Sequence, residues 1–209
     1  MWAAIRSWLF PVWCIGCGEP ETGLCAACAA AARPVDLVLD GVSVRAASEY
    51  AGAVRGAILG LKRGERAYLD PLAELLAPLV PPGTAIVPVT TTARRAAERG
   101  FDQARELARR VAVLRSGSVA DVLRKRGAAQ RGLDRNERLG SRRRFTLRPQ
   151  TAVPRTALLL DDVITTGATL RDAAAALAAG GCRVAGAVVV ARTAANRETP
   201  GRGRRLVEA

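Results

Sequence analysis

Thr156-Ala-Leu-Leu-Leu160, Asp161-Asp162, Val163-Ile164, Thr165-Thr166-Gly167-Ala168-Thr169: from this stretch the rest of the chain can be read. Its aliphatic residues predict a strand over Thr156–Leu160, and open α/β sheets place their ligands at such carboxyl ends. Two adjacent carboxylates there can accept hydrogen bonds from vicinal hydroxyls, as a ribose presents, or hold a hydrated Mg²⁺. The small, hydroxylated residues around Gly167 can wrap a phosphate at the amino end of the following helix, whose dipole favours the anion. Thr169 and Asp172 form a capping-box pattern that predicts the helix start at Thr169. Leu170, Ala174 and Leu177 supply its buried stripe, and Gly180-Gly181 end it. Val184–Val190 then returns as a neighbouring parallel strand through a right-handed crossover.

Working outward, Ala97–Leu114 has helical spacing with Phe101, Ala104, Leu107, Ala108 and Val111 on one side. Ala85–Val89 reads as a short buried strand after the breaker Pro81-Pro82-Gly83, and apolar periodicity predicts helices over Ala53–Leu61 and Leu69–Leu79. The composition of residues 193–209 predicts a disordered basic tail. A length of 209 residues suits one domain plus an appendage. A chain of this size buries about 70% of its unfolded surface and needs no disulfide framework. No apolar run reaches the roughly 20 residues of a membrane span. Arg6 interrupts the apolar opening and no small-residue cleavage site follows, so a cytoplasmic protein without membrane insertion is expected.

The charge is uneven. There are 32 basic and 19 acidic residues and no histidine, for a net +13. Lys62 and Lys125 are the only lysines, so nearly all the positive charge is guanidinium. Residues 124–148 carry ten basic side chains against Asp134 and Glu137, and the stretches 94–110 and 192–209 are also basic. Concentrated arginine suits phosphate-bearing partners, because the planar fork matches phosphate oxygens, although a solvated face or a GC-rich genome produces the same composition. Without histidine there is no Ser-His-Asp triad, Cys-His pair or His-ligated metal. Catalysis would run on carboxylates, cations, backbone amides or a bound ion.

At the amino end, Cys14-Ile-Gly-Cys17 is followed after seven residues by Cys25-Ala-Ala-Cys28. Two C-x-x-C pairs read as a four-thiolate zinc site, since the spacing lets both sulfurs of a pair reach one ion about 2.3 Å away. Two disulfides or a redox dithiol are the alternatives, disfavoured by a reducing compartment and by the doubling of the motif. Four thiolates leave no open position, so the ion would be structural. Cys182 reads as a small buried hydrophobe.

Leu158–Thr169 resembles the phosphoribosyl-pyrophosphate signature of type I phosphoribosyltransferases. With the cysteine pairs, Leu61-Lys62-Arg63-Gly64, Val87-Pro88-Val89, Arg95, Arg99-Gly100-Phe101-Asp102-Gln103 and the spaced Gln130, Leu133, Arg138 and Phe145, the chain is similar to the ComF family of competence-associated proteins over about residues 8–192. Thr90, Asp102 and Ser141 depart from that family's commoner proline, asparagine and asparagine.

The resemblance implies an α/β fold, a type I phosphoribosyltransferase-like parallel sheet flanked by helices, with a small zinc module at residues 1–35. The α/β domain would span 36–192, with a basic hood or loop at 90–148. By resemblance, Asp161 and Asp162 take the ribose hydroxyls, the latter through water on magnesium. Thr165, Thr166, Gly167, Ala168 and Thr169 cradle the 5′-phosphate, and Lys62 lies on the pyrophosphate side. Arg94, Arg95 and Arg99 belong either to a hood over the site or, with Arg142, Arg143 and Arg144, to a nucleic-acid groove. Two functional classes follow. One is a phosphoribosyl-pyrophosphate-binding protein of DNA uptake and natural transformation that also holds single-stranded DNA and meets other DNA-uptake proteins. The other is an active phosphoribosyltransferase, a glycosyltransferase in which a base or amine displaces pyrophosphate from C1 of the donor.

Overall fold

The computed structural model describes residues 12–20, 22–126 and 144–194. After helix α1 (Ala26–Ala30) come strands β1 (Val35–Leu39) and β2 (Val42–Glu49), then helices α2 (Gly52–Lys62) and α3 (Leu69–Leu76). Strand β3 (Ala85–Pro88) precedes α4 (Ala93–Arg99) and α5 (Gln103–Leu114). The short strands β4 (Ser118–Val119), β5 (Leu123–Lys125) and β6 (Phe145–Leu147) lead to β7 (Thr156–Ile164), α6 (Ala168–Ala179) and β8 (Arg183–Arg192).

Six strands form one sheet in the order β1-β2-β8-β7-β3-β4. Only β1 runs antiparallel to its neighbour; the other pairings are parallel. The α/β class and the parallel pairing of β8 beside β7 are as the sequence predicts. Central strands of such a sheet are buried on both faces, which explains the unbroken aliphatic run. Leu158 and Leu160 of β7 and Val188 and Val190 of β8 join the core under α2, α3 and α5. Ala157, Leu159, Ala187 and Val189 join the opposite core under α6 and the β5–β6 ribbon.

Several local expectations are corrected. Strand β7 does not stop at Leu160 but continues to Ile164, so the two aspartates lie within the strand. Helix α6 begins at Ala168, with Gly167 (φ 73°) as its N-cap and no side-chain cap; the Thr169–Asp172 capping box is not formed. Asp172 pairs instead with Arg144 at 3.3 Å. The helical stretch 97–114 is two helices, because Gly100 takes φ 77° and ends α4. Asp102 then caps α5, accepting from the amides of Arg105 (3.0 Å) and Thr91 (2.8 Å). That gives the negative charge at this position a structural use. The β1–β2 hairpin went unread, although Val35, Leu37 and Leu39 alternate before an Asp40-Gly41 turn, the strongest short-range hairpin signal.

The cysteine segment shares the domain's core. Cys14 and Leu24 are buried in one cluster with Ala57, Ile58, Leu61 and Tyr68. Small residues permit this approach: a Cβ on Gly56 would lie 2.7 Å from Ile15 Cγ1, and one on Gly16 would lie 2.8 Å from Ala53 Cβ. Among the described residues, no helix is long and apolar enough to cross a membrane.

Candidate functional site

Strands β3 and β7 are paired in parallel, Pro88 opposite Leu160, so their carboxyl ends open together into a cavity of about 320 Å³. Asp161, Asp162 and Val163 form its floor. Lys62, at the last position of α2, and Thr169, in the first turn of α6, reach it from two other elements. Thr90 and Thr91 after β3, Arg95 and Arg99 on α4, Gln103 on α5 and Lys125 on β5 complete the polar wall.

The two carboxylates differ in their bonds. Asp161 Oδ1 accepts the Asp162 amide at 2.8 Å, and Asp162 Oδ1 accepts the Val163 amide at 2.8 Å. Asp162 Oδ2 lies 3.3 Å from Lys62 Nζ. Burial, reinforced by the neighbouring Asp162 charge, pushes the Asp161 carboxyl well above the ordinary carboxylate range. Burial also lowers Lys125, helped by the charges of Arg95 and Arg144 and opposed by Asp161 and Asp162. Lys125 further lies 5.3 Å from the Phe145 ring centroid. Arg99 donates to Gln103 Oε1 at 2.6 Å, and Gln103 donates to the Leu61 carbonyl at 2.9 Å. That chain ties the cationic wall to the residue before Lys62.

Of the residues singled out from sequence, Lys62, Asp161, Asp162, Thr169, Arg95 and Arg99 meet in this cavity. Thr165 and Thr166 are exposed beside it, Gly167 is buried and Ala168 half-buried. Arg94 points to solvent and pairs with Glu98 at 3.1 Å. Arg144 is half-exposed on its Asp172 pair, while Arg142 and Arg143 lie outside the described residues. So do Gln130, Leu133, Arg138, Ser141 and the tail 195–209. Lys125, Thr90, Thr91 and Gln103 were not anticipated as cavity residues. Lys125 had a signal, being one of only two lysines in the chain.

A second centre lies at the other end of α2. The Sγ atoms of Cys14, Cys17, Cys25 and Cys28 all lie within 4.8 Å of one another, with Cys17 and Cys25 3.6 Å apart. Tetrahedral coordination at about 2.3 Å puts sulfurs roughly 3.8 Å apart, so the four are positioned to hold a metal ion. The amides of Gly16 (3.4 Å) and Cys25 (3.3 Å) donate to Cys14 Sγ. Burial raises the Cys14 thiol, but backbone donors from Cys25, Cys17 and Gly16 outweigh it and bring it down to about 6. Cys28 is pushed up to about 12 by the neighbouring thiols, Cys25 first. Without a cation, four thiolates at this spacing repel; with one, all four deprotonate.

No protein-family model matches the chain, and no curated protein matches it significantly. Among solved structures, orotate phosphoribosyltransferase from Aeropyrum pernix is similar over 77% of this chain and 75% of that one, with 18% identity and a TM-score of 0.34. At that score the likeness carries no assignment. The α/β description rests on the sheet order and register of the chain itself.

Proposed function

We propose that the cavity binds 5-phosphoribosyl pyrophosphate with magnesium, and that the cysteine centre holds a structural zinc ion. One observation carries the first part: the paired carboxylates at the end of β7 face Lys62, Lys125, Arg95 and Arg99 across a single cavity. A ligand with a hydroxylated ring between two anionic groups matches that mixture. In this reading Asp161 and Asp162 accept hydrogen bonds from the ribose hydroxyls. Asp162 uses the oxygen now paired with Lys62, and Lys62 turns to the pyrophosphate. The loop Thr165–Thr169 takes the 5′-phosphate. Magnesium would supply charge neutralisation of the pyrophosphate, and the Asp161 and Asp162 oxygens left free by the backbone suit contact through its water shell. The fit of zinc rests on the all-sulfur donor set and the C-x-x-C spacing.

Calorimetric titration of the full chain with the ribosyl donor and Mg²⁺ tests the site. Asp161→Ala with Asp162→Ala should weaken binding by well over tenfold, because charge-assisted hydrogen bonds are worth roughly 1.5–3 kcal/mol each. Equal affinity for wild type and variant refutes the assignment. Adding a panel of bases and assaying pyrophosphate separates a binding module from a transferase. In the transferase case Lys62, Lys125, Arg95 and Arg99 would stabilise the departing pyrophosphate.

The wider reading makes this a ComF-type protein of DNA uptake that binds single-stranded DNA through its arginine surfaces. Its support is the charge distribution of the sequence and the resemblance. Arg95 and Arg99 line the small-ligand cavity and Arg94 and Arg144 are ion-paired. Single-stranded DNA would therefore engage mainly the remaining arginines of residues 124–148.

A further inference from the structure

The tip of the β1–β2 hairpin rests on the loop between β7 and α6. Asp40 (φ 48°) and Gly41 (φ 81°) are both left-handed, as a two-residue Asp-Gly turn requires. The turn brings Leu39 against Gly167 so closely that a Cβ on Gly167 would collide with Leu39 Cδ1. Arg171, in the first turn of α6, closes the contact. One guanidinium nitrogen donates to the Thr166 carbonyl at 2.6 Å, and the other lies 3.5 Å from the Asp40 carboxylate. The guanidinium fork thus bridges the hairpin tip and one peptide of the loop.

That peptide joins Thr166 to Gly167 and is trans, like the others described. A trans peptide holds its C=O and N–H antiparallel. Fixing the Thr166 carbonyl on the Arg171 side therefore turns the Gly167 N–H to the opposite face of the loop. We propose that Arg171, held by Asp40, is the positioning residue of the 5′-phosphate cradle, and that the hairpin tip presents the Gly167 amide before any ligand arrives. This inference rests on the reading of Thr165–Thr169 as the phosphate loop. Preorganised donors bind an anion without the cost of ordering the loop first.

Electrostatics alone makes the opposite forecast. Asp40 is an anion close to the loop, so its removal should tighten phosphate binding if charge is all that matters. Positioning requires the reverse. In titrations of the full chain with ribose 5-phosphate, Asp40→Ala and Arg171→Lys should each weaken binding by about five- to tenfold through lost preorganisation. Lysine keeps the charge but cannot bridge both partners. Asp40→Glu should restore most of the affinity. Pyrophosphate affinity should stay at its wild-type value in both variants. Melting temperature should hold for Arg171→Lys, since exposed ion pairs contribute little to stability, and fall slightly for Asp40→Ala, because Asp40 is left-handed and alanine adopts that turn less readily. Unchanged or tighter ribose 5-phosphate binding by Asp40→Ala overturns the proposal.

The Gly167 amide resonance of the ligand-free chain gives an independent arm. It should shift or broaden in Asp40→Ala, and its constancy overturns the clamp even if wild type binds ribose 5-phosphate. Conversely, an amide that responds in a wild-type chain blind to ribose 5-phosphate refutes the phosphate reading and leaves the clamp standing.

Discussion

Asp161 and Asp162 are adjacent in the chain but point to opposite sides of β7's backbone and meet different surroundings. Asp162 has Lys62 3.3 Å away, whereas Asp161 is pushed upward by burial and by Asp162. Because the folded-state pKa of Asp161 lies above its unfolded value, the folded chain holds this proton longer as pH rises. The stability that this group contributes is therefore fully present below the ordinary carboxylate range and is lost as pH climbs through the raised value. Asp161→Asn should remove that dependence, measured as melting temperature across a series of rising pH, and should melt higher than wild type at the upper end of the series. The same variant should weaken the ribosyl donor, the usual opposition of site and stability. Gly167 shows a different residue-scale constraint. It takes φ 73° and lies under Leu39, so Gly167→Ala should cost about 1–2 kcal/mol in denaturant unfolding. Adding Leu39→Ala should recover the collision but not the backbone strain. A double variant restored fully to the stability of Leu39→Ala alone would show that the left-handed conformation costs nothing here.

At the scale of elements, α2 connects the two centres. Its amino-terminal half accepts the cysteine knuckle at Ala53 and Gly56, and its last residue is Lys62. Gly60 seats Tyr68, and the Tyr68 ring also covers Gly23 of the cysteine segment. Metal loss should therefore reach beyond the first 30-odd residues. Cys25→Ser, or chelation of wild type, should release about one zinc per chain, lower the melting temperature of the whole domain and weaken ribosyl-donor binding severalfold through Lys62. Elemental analysis, thermal melts and titration check the three parts. A chain purified without metal, melting like wild type, would refute the structural role. The sequence anticipated the four sulfurs because two C-x-x-C pairs are a local signal. It was silent on where the cluster docks, since small residues such as Gly56 and Gly60 look like weak points in a helix until the partner side chain is present.

Across the whole molecule, residues 124–148 are the most basic stretch, carrying ten basic side chains against Asp134 and Glu137. If that block holds single-stranded DNA, log affinity should fall with log salt at a slope near −0.7 per phosphate neutralised. Replacing Arg142, Arg143 and Arg144 by alanine should flatten the slope and leave ribosyl-donor binding intact. Replacing Arg202, Arg204 and Arg205 changes the same charge elsewhere, so equal losses from both variants would reduce the effect to net charge. Arg144 belongs to this test with a qualification from the fold: it already faces Asp172 at 3.3 Å, so Arg142 and Arg143 should account for most of the slope change.

What the sequence alone determined is what short range can encode. An aliphatic run buried on both faces specifies a central parallel strand wherever it lies in the chain. The two aspartates lie in that strand and the threonine loop follows it by covalent connection, and the cysteine spacing places four sulfurs within reach of one ion. Helix α6 was legible for the same reason, though its start moved because Gly167 took the left-handed turn before Thr169 could act as a cap. Only the tertiary structure decided which distant residues complete the cavity. Lys62 lies 100 residues before Asp162 and meets it through the docking of α2, and Lys125 enters from the separate β5–β6 ribbon. Asp102 caps α5 locally through the Arg105 amide, and only the fold brings it the Thr91 amide as a second donor. The physical reason is the same in each case. Strand direction and metal spacing are set by neighbours in the chain, whereas a cavity wall is set by packing between elements, and the residues that permit close packing carry no periodic signature.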